Sequence, residues 1–386
     1  MFSDISLLIL SEFSDDESDE ENLLDSSTDL GSSSEEDEYL ENLLCDSYSF
    51  RRHHAENITR DAIPTYTNKE FQIHFRVNRN VYNFLIEKFK DSEDYKSLRM
   101  DKVISADTHI ALFLWFAGHR ECSFRDIANR FHISISTVSA IISRVTHFIS
   151  SLSDAVIKWP NYTEKLTSSA FFAAQHIGGS FEEAIGVLGM THIRIIPPKS
   201  DKNQYINWKG ESTIQVLGIC NERNDFIYIF AGLPGAVHVH EVLERSDIYP
   251  KLSSLCGDYY ILANSSFACT ENIITPYIDN EQLGARQKKF NDKLNASRII
   301  IEHAFTMLKR RFPQLYFCKL KGVEKVCHFV RACVVLHNLC DENFIRVGSD
   351  FKVTDINQDM EPPNTTEMSI WRRNQLCYKM FRSNAK

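Results

Sequence analysis

The spacing of apolar residues changes period twice along the chain, and each change marks a different kind of structure. Between Asn68 and Leu98 the residues Phe71, Phe75, Val81, Phe84, Leu85 and Phe89 fall at helical intervals, and Ile110, Leu112, Phe113 and Phe116 continue the pattern. Phe124, Ile127, Ala128 and Phe131 then stand at i, i+3, i+4 and i+7. A short turn, His132-Ile133-Ser134-Ile135, separates them from Val138, Ile141, Ile142 and Val145 on the face of a second helix, with Ser134 or Ser136 as its expected N-cap. After a helix near 164–176 the period shortens. Runs at 184–196, 212–220, 226–231 and 259–263, rich in β-formers and divided by Gly, Pro, Asn and Asp, predict strands. From Asn291 the helical spacing returns with Ile299, Ile300, Ala304, Leu308 and Phe312, and another apolar helix is predicted over 323–340.

Composition splits the chain further. Of its 52 acidic residues, 16 lie in residues 1–50, which hold no Lys or Arg; the remaining 36 face 43 basic residues, so the net charge of -9 conceals a mildly basic body. Runs such as 14–21 and 32–38 repel themselves and carry little apolar surface, which predicts disorder. Their serines, set beside acids, suit an acidophilic kinase. Ten cysteines without a CxxC pair, and no basic segment at the start, lead to the expectation of a reducing compartment. The longest uncharged apolar stretches, such as 110–118, fall short of the roughly 18 residues a membrane span needs, so no membrane association is expected. The expected organisation is an acidic tail over 1–60, a helical region over 61–160, an α/β domain over 161–345, and a loosely ordered tail with Pro362-Pro363-Asn364 over 346–386.

The stretch SFRDIANRFHISISTVSAIISRV resembles helix-turn-helix segments of transposases and regulators, whose second helix can enter a major groove. In that reading Ser136, Thr137, Ser139 and Arg144 face DNA; the plain alternative is two packed helices without a nucleic-acid role. Arg144 is the one cation on the second helix, where phosphate binding usually draws on several. The basic run Lys309-Arg310-Arg311, followed by Lys319, Lys321 and Lys325, is a second candidate for phosphate contact, or else a solvated helix face.

Six segments occur in one order: GVLGMTHIRI at 186–195, INWKG at 206–210, FAGLPGAVHVHEVL at 230–243, ILANSSF at 261–267, FNDKLNASRIIIEHAFTMLKRRF at 290–312 and CVVLHNLC at 333–340. Together they resemble the DDE domain of PIF/Harbinger transposases and of the nucleases derived from them in animals, over roughly residues 70–345. The resemblance implies an RNase H-like mixed sheet flanked by helices, preceded by the helix-turn-helix region. It also implies acidic residues that hold magnesium or manganese, since phosphodiester chemistry needs metal ions at the attacking and leaving oxygens.

Carried across residue by residue, the family's acidic positions fall on Gly189, on Val239 fifty residues later, on Asn264, and on Glu302 thirty-eight residues further. Glycine offers no ligand, valine offers none, and asparagine offers a neutral carbonyl. Glu302 alone keeps its carboxylate, so metal binding is expected to be weak at Glu302, with Asn264 as its one helper, and no nuclease activity is expected. His238, His240, Glu241, His192 and His303 stand nearby in sequence, and on a strand His238 and His240 would point the same way; imidazoles there would favour zinc over magnesium. Pro234-Gly235, Thr191-His192, Asn291, Arg298 and His337-Asn338 still match the family.

Three functions follow. In the first the chain is a domesticated transposase that acts by binding DNA or, as the resemblance implies, a Myb/SANT-like partner protein in the nucleus, with the cytoplasm and homo-oligomerisation left open. In the second it is a metal-dependent nuclease with displaced ligands. In the third it is a helix-turn-helix transcription regulator.

Overall fold

The computed structural model describes residues 63–98, 104–120, 122–174, 181–278, 283–340 and 365–382. The acidic segment, and most of the stretch expected to form a loose tail, lie outside them. The described residues divide into two compact units, one ending at Ser151 and including Phe312–Gln314, the other formed by the rest from Leu152.

The first unit is helical. α1 (Asn68–Phe75) opens with a capping box, in which the Thr67 hydroxyl accepts from Glu70 N–H and the Glu70 carboxylate accepts from Thr67 N–H. The helical pattern over 68–98 is broken where Arg76 takes a left-handed conformation, φ 64°, and Asn78 caps α2 (Arg79–Asp91). α3 (Ala106–Gly118) is apolar almost all round and buried, the mark of a helix at the centre of a bundle. α4 (Phe124–Phe131) carries a second capping box between Ser123 and Asp126 and ends at His132, φ 53°. α5 (Ile135–Ser151) is capped by Ser134, whose hydroxyl accepts from Thr137 N–H at 3.1 Å. By length and composition alone Ile135–Val156, 22 residues with mean hydropathy 1.2, is long and apolar enough to cross a bilayer. Here its apolar side, Val138, Ile141, Ile142 and Val145, is buried, and α5 packs on α3 and α4.

The second unit is built on a six-stranded mixed sheet in the order β3-β2-β1-β4-β5. β1 (Ala184–Ile195), β2 (Thr213–Cys220) and β3 (Phe226–Pro234) form an antiparallel meander. β4 (Tyr260–Leu262) and β5 (Ile273–Ile274) continue it in parallel, and β6 (Phe317–Cys318) pairs in parallel with the far end of β1. One apolar cluster of this unit joins Leu188, Leu217, Ile219 and Ile261 to Val242 and Leu243 of a short helix, α7 (Val239–Glu244), and to Leu252 and Cys256 of α8 (Leu252–Cys256). α6 (Tyr162–Ala174) packs on β1. So does α9 (Ala285–Arg311), which also packs on β2, while α10 (Val323–Asn338) lies on β3. This is a mixed sheet flanked by helices, consistent with a DDE nuclease fold.

Two features depart from the sequence pattern. α9 buries Leu294, Arg298, Ile301, Phe305 and Leu308, while Ile299 of the expected face is exposed. Within the expected loose tail, residues 367–382 form α11 (Glu367–Arg382). Arg373 of α11 is 3% exposed, donates to Pro276 O at 3.0 Å and lies over the Tyr277 ring, and Tyr277 Oη is 2.9 Å from Asn374 Oδ1. Every cysteine among the described residues is free.

Candidate functional site

β1, α7, the loop after β4 and α9 carry the four positions at which the resemblance would place acidic residues. Gly189 pairs with Gly218 across β1 and β2, and both lie under α9. A Cβ on Gly189 would stand 2.8 Å from Ile301 Cγ1 and 2.9 Å from Ile301 Cγ2; one on Gly218 would stand 2.9 Å from Phe305 Cζ. Two glycines side by side let the helix settle onto the strands closer than any side chain permits. The position that would carry the first carboxylate is thus taken up by helix-to-sheet packing.

Val239 is not on a strand. His238 is the residue before α7, and Val239 opens its first turn. Val239 packs with the apolar cluster of Leu188, Val242 and Leu243. His238 and His240 nonetheless stand side by side at the start of the helix, their rings stacked with centroids 5.8 Å apart. Asn264 lies two residues past the end of β4; its backbone carbonyl accepts from Phe267 N–H at 3.2 Å, and its Oδ1 is buried without a hydrogen-bond partner.

Glu302 is the residue after Ile301 on α9. Two turns on, the Lys309 ammonium donates to Thr191 Oγ1 at 2.8 Å and to His192 O at 2.9 Å. Burial lowers its pKa to about 8, while Glu302 and Glu211 pull it back up. His192 Nδ1 hydrogen-bonds the Thr213 hydroxyl at 2.9 Å, and burial first, then Lys309 and Lys209, press its pKa down to about 4. This imidazole is neutral at pH 7 and lies in a positive field.

Magnesium or manganese, the ions such a fold implies, does not fit these residues. The set amounts to one carboxylate, one neutral amide oxygen without a partner, an ammonium whose field reaches Glu302, and a glycine with no room for a side chain. Among the described residues no three His, Cys, Asp or Glu side chains converge. Hard divalent cations take several oxygen ligands.

The motif residues that persist do structural work. Asn291 Oδ1 accepts from Tyr277 N–H and its Nδ2 donates to Tyr277 O, both at 2.8 Å. Asn338 clasps the Phe226 backbone from both sides, and buried His337 donates through Nε2 to Asn224 O at 3.1 Å. Arg298 Nη1 donates to Asn295 Oδ1 at 3.1 Å.

The basic run at the end of α9 is not one solvent face. Lys309 points at β1, Arg311 is 1% exposed and donates to His337 O at 3.0 Å, and Arg310 is exposed. Phosphate contact by all three is corrected on that ground. In the first unit Ser136 and Ser139 are exposed on α5. Thr137 is half-buried and its hydroxyl is 2.7 Å from Ser134 Oγ. Arg144, expected to reach outward, lies 3.1 Å from His109 Nε2. With Thr137 it lines a cleft of about 190 Å³. Burial presses the His109 pKa to about 4.

Against known proteins, residues 188–338 match the DDE superfamily endonuclease domain, and residues 61–151 match a domain of unknown function (DUF8040). The chain thus carries a DDE superfamily endonuclease domain and is nuclease-like and transposase-derived. It is similar to the mouse protein "Putative nuclease HARBI1", at 25% identity over 80% of this chain and 87% of that protein. The human protein of the same name is 23% identical over 84% of this chain and 91% of its own length. The "Probable transposase for insertion sequence element IS702" of Microchaete diplosiphon is 21% identical over 63% of this chain and 84% of its own length. No solved structure matches the chain.

Proposed function

We propose that this chain is a transposase-derived protein of the Harbinger kind that no longer cuts DNA and acts by binding it. The observation that carries the reading is Ile301 packed against Gly189, because it removes both a ligand and the space for one. The apolar setting of Val239 and the neutral amide of Asn264 support it. Two metal ions between attacking and leaving oxygens need converging negative charge, and Glu302 supplies it alone. DNA is the partner in this reading, met in part through the exposed Ser136 and Ser139 of α5, together with a Myb/SANT-like protein in the nucleus.

The competing reading is a metal-dependent nuclease with displaced ligands, favoured by the names of the relatives. The two separate when purified protein is incubated with plasmid DNA and magnesium or manganese. The proposal expects no cleavage above that of Glu302→Ala. Cleavage that the substitution abolishes would make the chain an enzyme.

A further inference from the structure

The turn between the 3₁₀ segment at Lys202–Tyr205 and β2 is locked from within. Ile206 and Ser212 form an antiparallel bridge, and the buried Asn207 side chain accepts from Lys209 N–H at 2.9 Å and from Glu211 N–H at 3.0 Å. Gly210, φ 78°, supplies the left-handed step that closes it. The turn holds out Trp208, 74% exposed, more than any other large apolar side chain described. The turn thus presents the face of one indole to solvent on a fixed backbone.

The surroundings of Trp208 alternate aromatic faces with cations. Lys209 Nζ lies 4.7 Å from the Trp208 ring centroid. Glu211 of the same turn pairs with Arg194 at 3.6 Å, and the Arg194 guanidinium lies 5.2 Å from the Phe317 centroid, with Lys319 Nζ 5.5 Å from that ring on β6. Three cations and one carboxylate, the latter paired with Arg194, thus line a path that carries two aromatic rings. An apolar protein surface laid on this path would strand the cations, and an acidic one would leave the rings unused. Unpaired bases on a phosphate backbone use both, because every base has a π-face and every phosphate a charge.

We infer that Trp208 and Phe317, with Lys209, Arg194 and Lys319, form a platform that binds single-stranded nucleic acid by stacking bases between phosphate contacts. It rests on the binding reading above and adds a substrate class and a surface to it. Lys209 of this turn lies within electrostatic reach of His192 and Lys309.

The test is fluorescence anisotropy of the full chain with labelled dT12 and with a 12-base-pair duplex. Trp208→Ala is expected to weaken dT12 binding about tenfold or more, from the contribution of one stacked base, and to leave the duplex unaffected; Trp208→Phe is expected to recover most of the loss. Arg194→Ala with Lys319→Ala is expected to flatten the salt dependence for dT12 by about 1.4 in log–log slope, the share of two phosphate contacts on a single strand. Circular dichroism confirms folding, which the exposure of Trp208 leaves undisturbed. The platform is overturned if dT12 does not bind or if Trp208→Ala binds it as well as the parent. Competition by poly-glutamate as strong as that by unlabelled dT12 also overturns it, since charge alone would then suffice. Its failure leaves the non-cleaving DNA binder standing if duplex binding persists, whereas cleavage dependent on Glu302 would sink that reading without touching the platform.

Discussion

Ile301 occupies the space that a β-carbon on Gly189 would need, its Cγ1 2.8 Å from that point. Putting an aspartate back at 189 therefore cannot by itself rebuild a metal site. Overpacking of this kind costs about 1–3 kcal/mol. Gly189→Asp is expected to lower stability by that amount in urea unfolding without restoring cleavage. Adding Ile301→Ala opens the space, so the double variant should be less destabilised than the sum of the two single changes. Strict additivity would show that the two positions do not meet.

The Lys309 ammonium carries a pH signature. The unfolded chain keeps this proton to about pH 10.5, whereas the folded protein releases it near pH 8. Between these values the folded state binds fewer protons, so stability attributable to Lys309 rises with pH, and it falls as pH drops through 8. Compared with Lys309→Met, the parent should gain up to about 1.4 kcal/mol per pH unit from pH 8 to 10. A constant difference across that range would mean the ammonium is solvated rather than held against Thr191.

Acidification should act through three histidines, His192 and the buried His109 and His337. Burial holds His109 down to about 4 and His337 to about 3, so near pH 5 the unfolded chain takes up protons that the folded one refuses. Stability is expected to fall as pH drops from about 6.5 toward 4, with a shallower fall in His337→Asn. Thermal unfolding at pH 7, 6 and 5 measures it, and equal slopes for parent and variant would contradict it.

The helix pair makes a separate prediction. Ser136 and Ser139 are exposed on α5 while Val138, Ile141 and Ile142 are buried, so Ser136→Glu with Ser139→Glu should fold normally. If α5 meets a DNA duplex, the two added charges should weaken binding more than tenfold in an anisotropy titration. Undiminished binding would remove α5 from the interface.

Much of this architecture is legible in the sequence because period reports which face is buried. The strands and the helices flanking them follow from their spacing, and the positions where the family resemblance would place three carboxylates read as Gly189, Val239 and Asn264. What the pattern hides is direction. Three consecutive isoleucines, Ile299 to Ile301, leave the buried face of α9 undecided, and the structure buries Ile301 while exposing Ile299. His238 and His240 would point the same way on a strand, although Val239, Val242 and Leu243 already carry helical spacing. Lys309-Arg310-Arg311 looks like a solvated face because nothing local announces Thr191 and His337 as partners more than twenty residues away.

The central claim is that this scaffold can no longer gather the cations of phosphodiester chemistry. Isothermal titration calorimetry of the folded chain with Mn2+ tests it most directly, with Glu302→Gln as control. The account predicts no binding heat that distinguishes parent from variant; saturable binding by the parent that Glu302→Gln abolishes would contradict it.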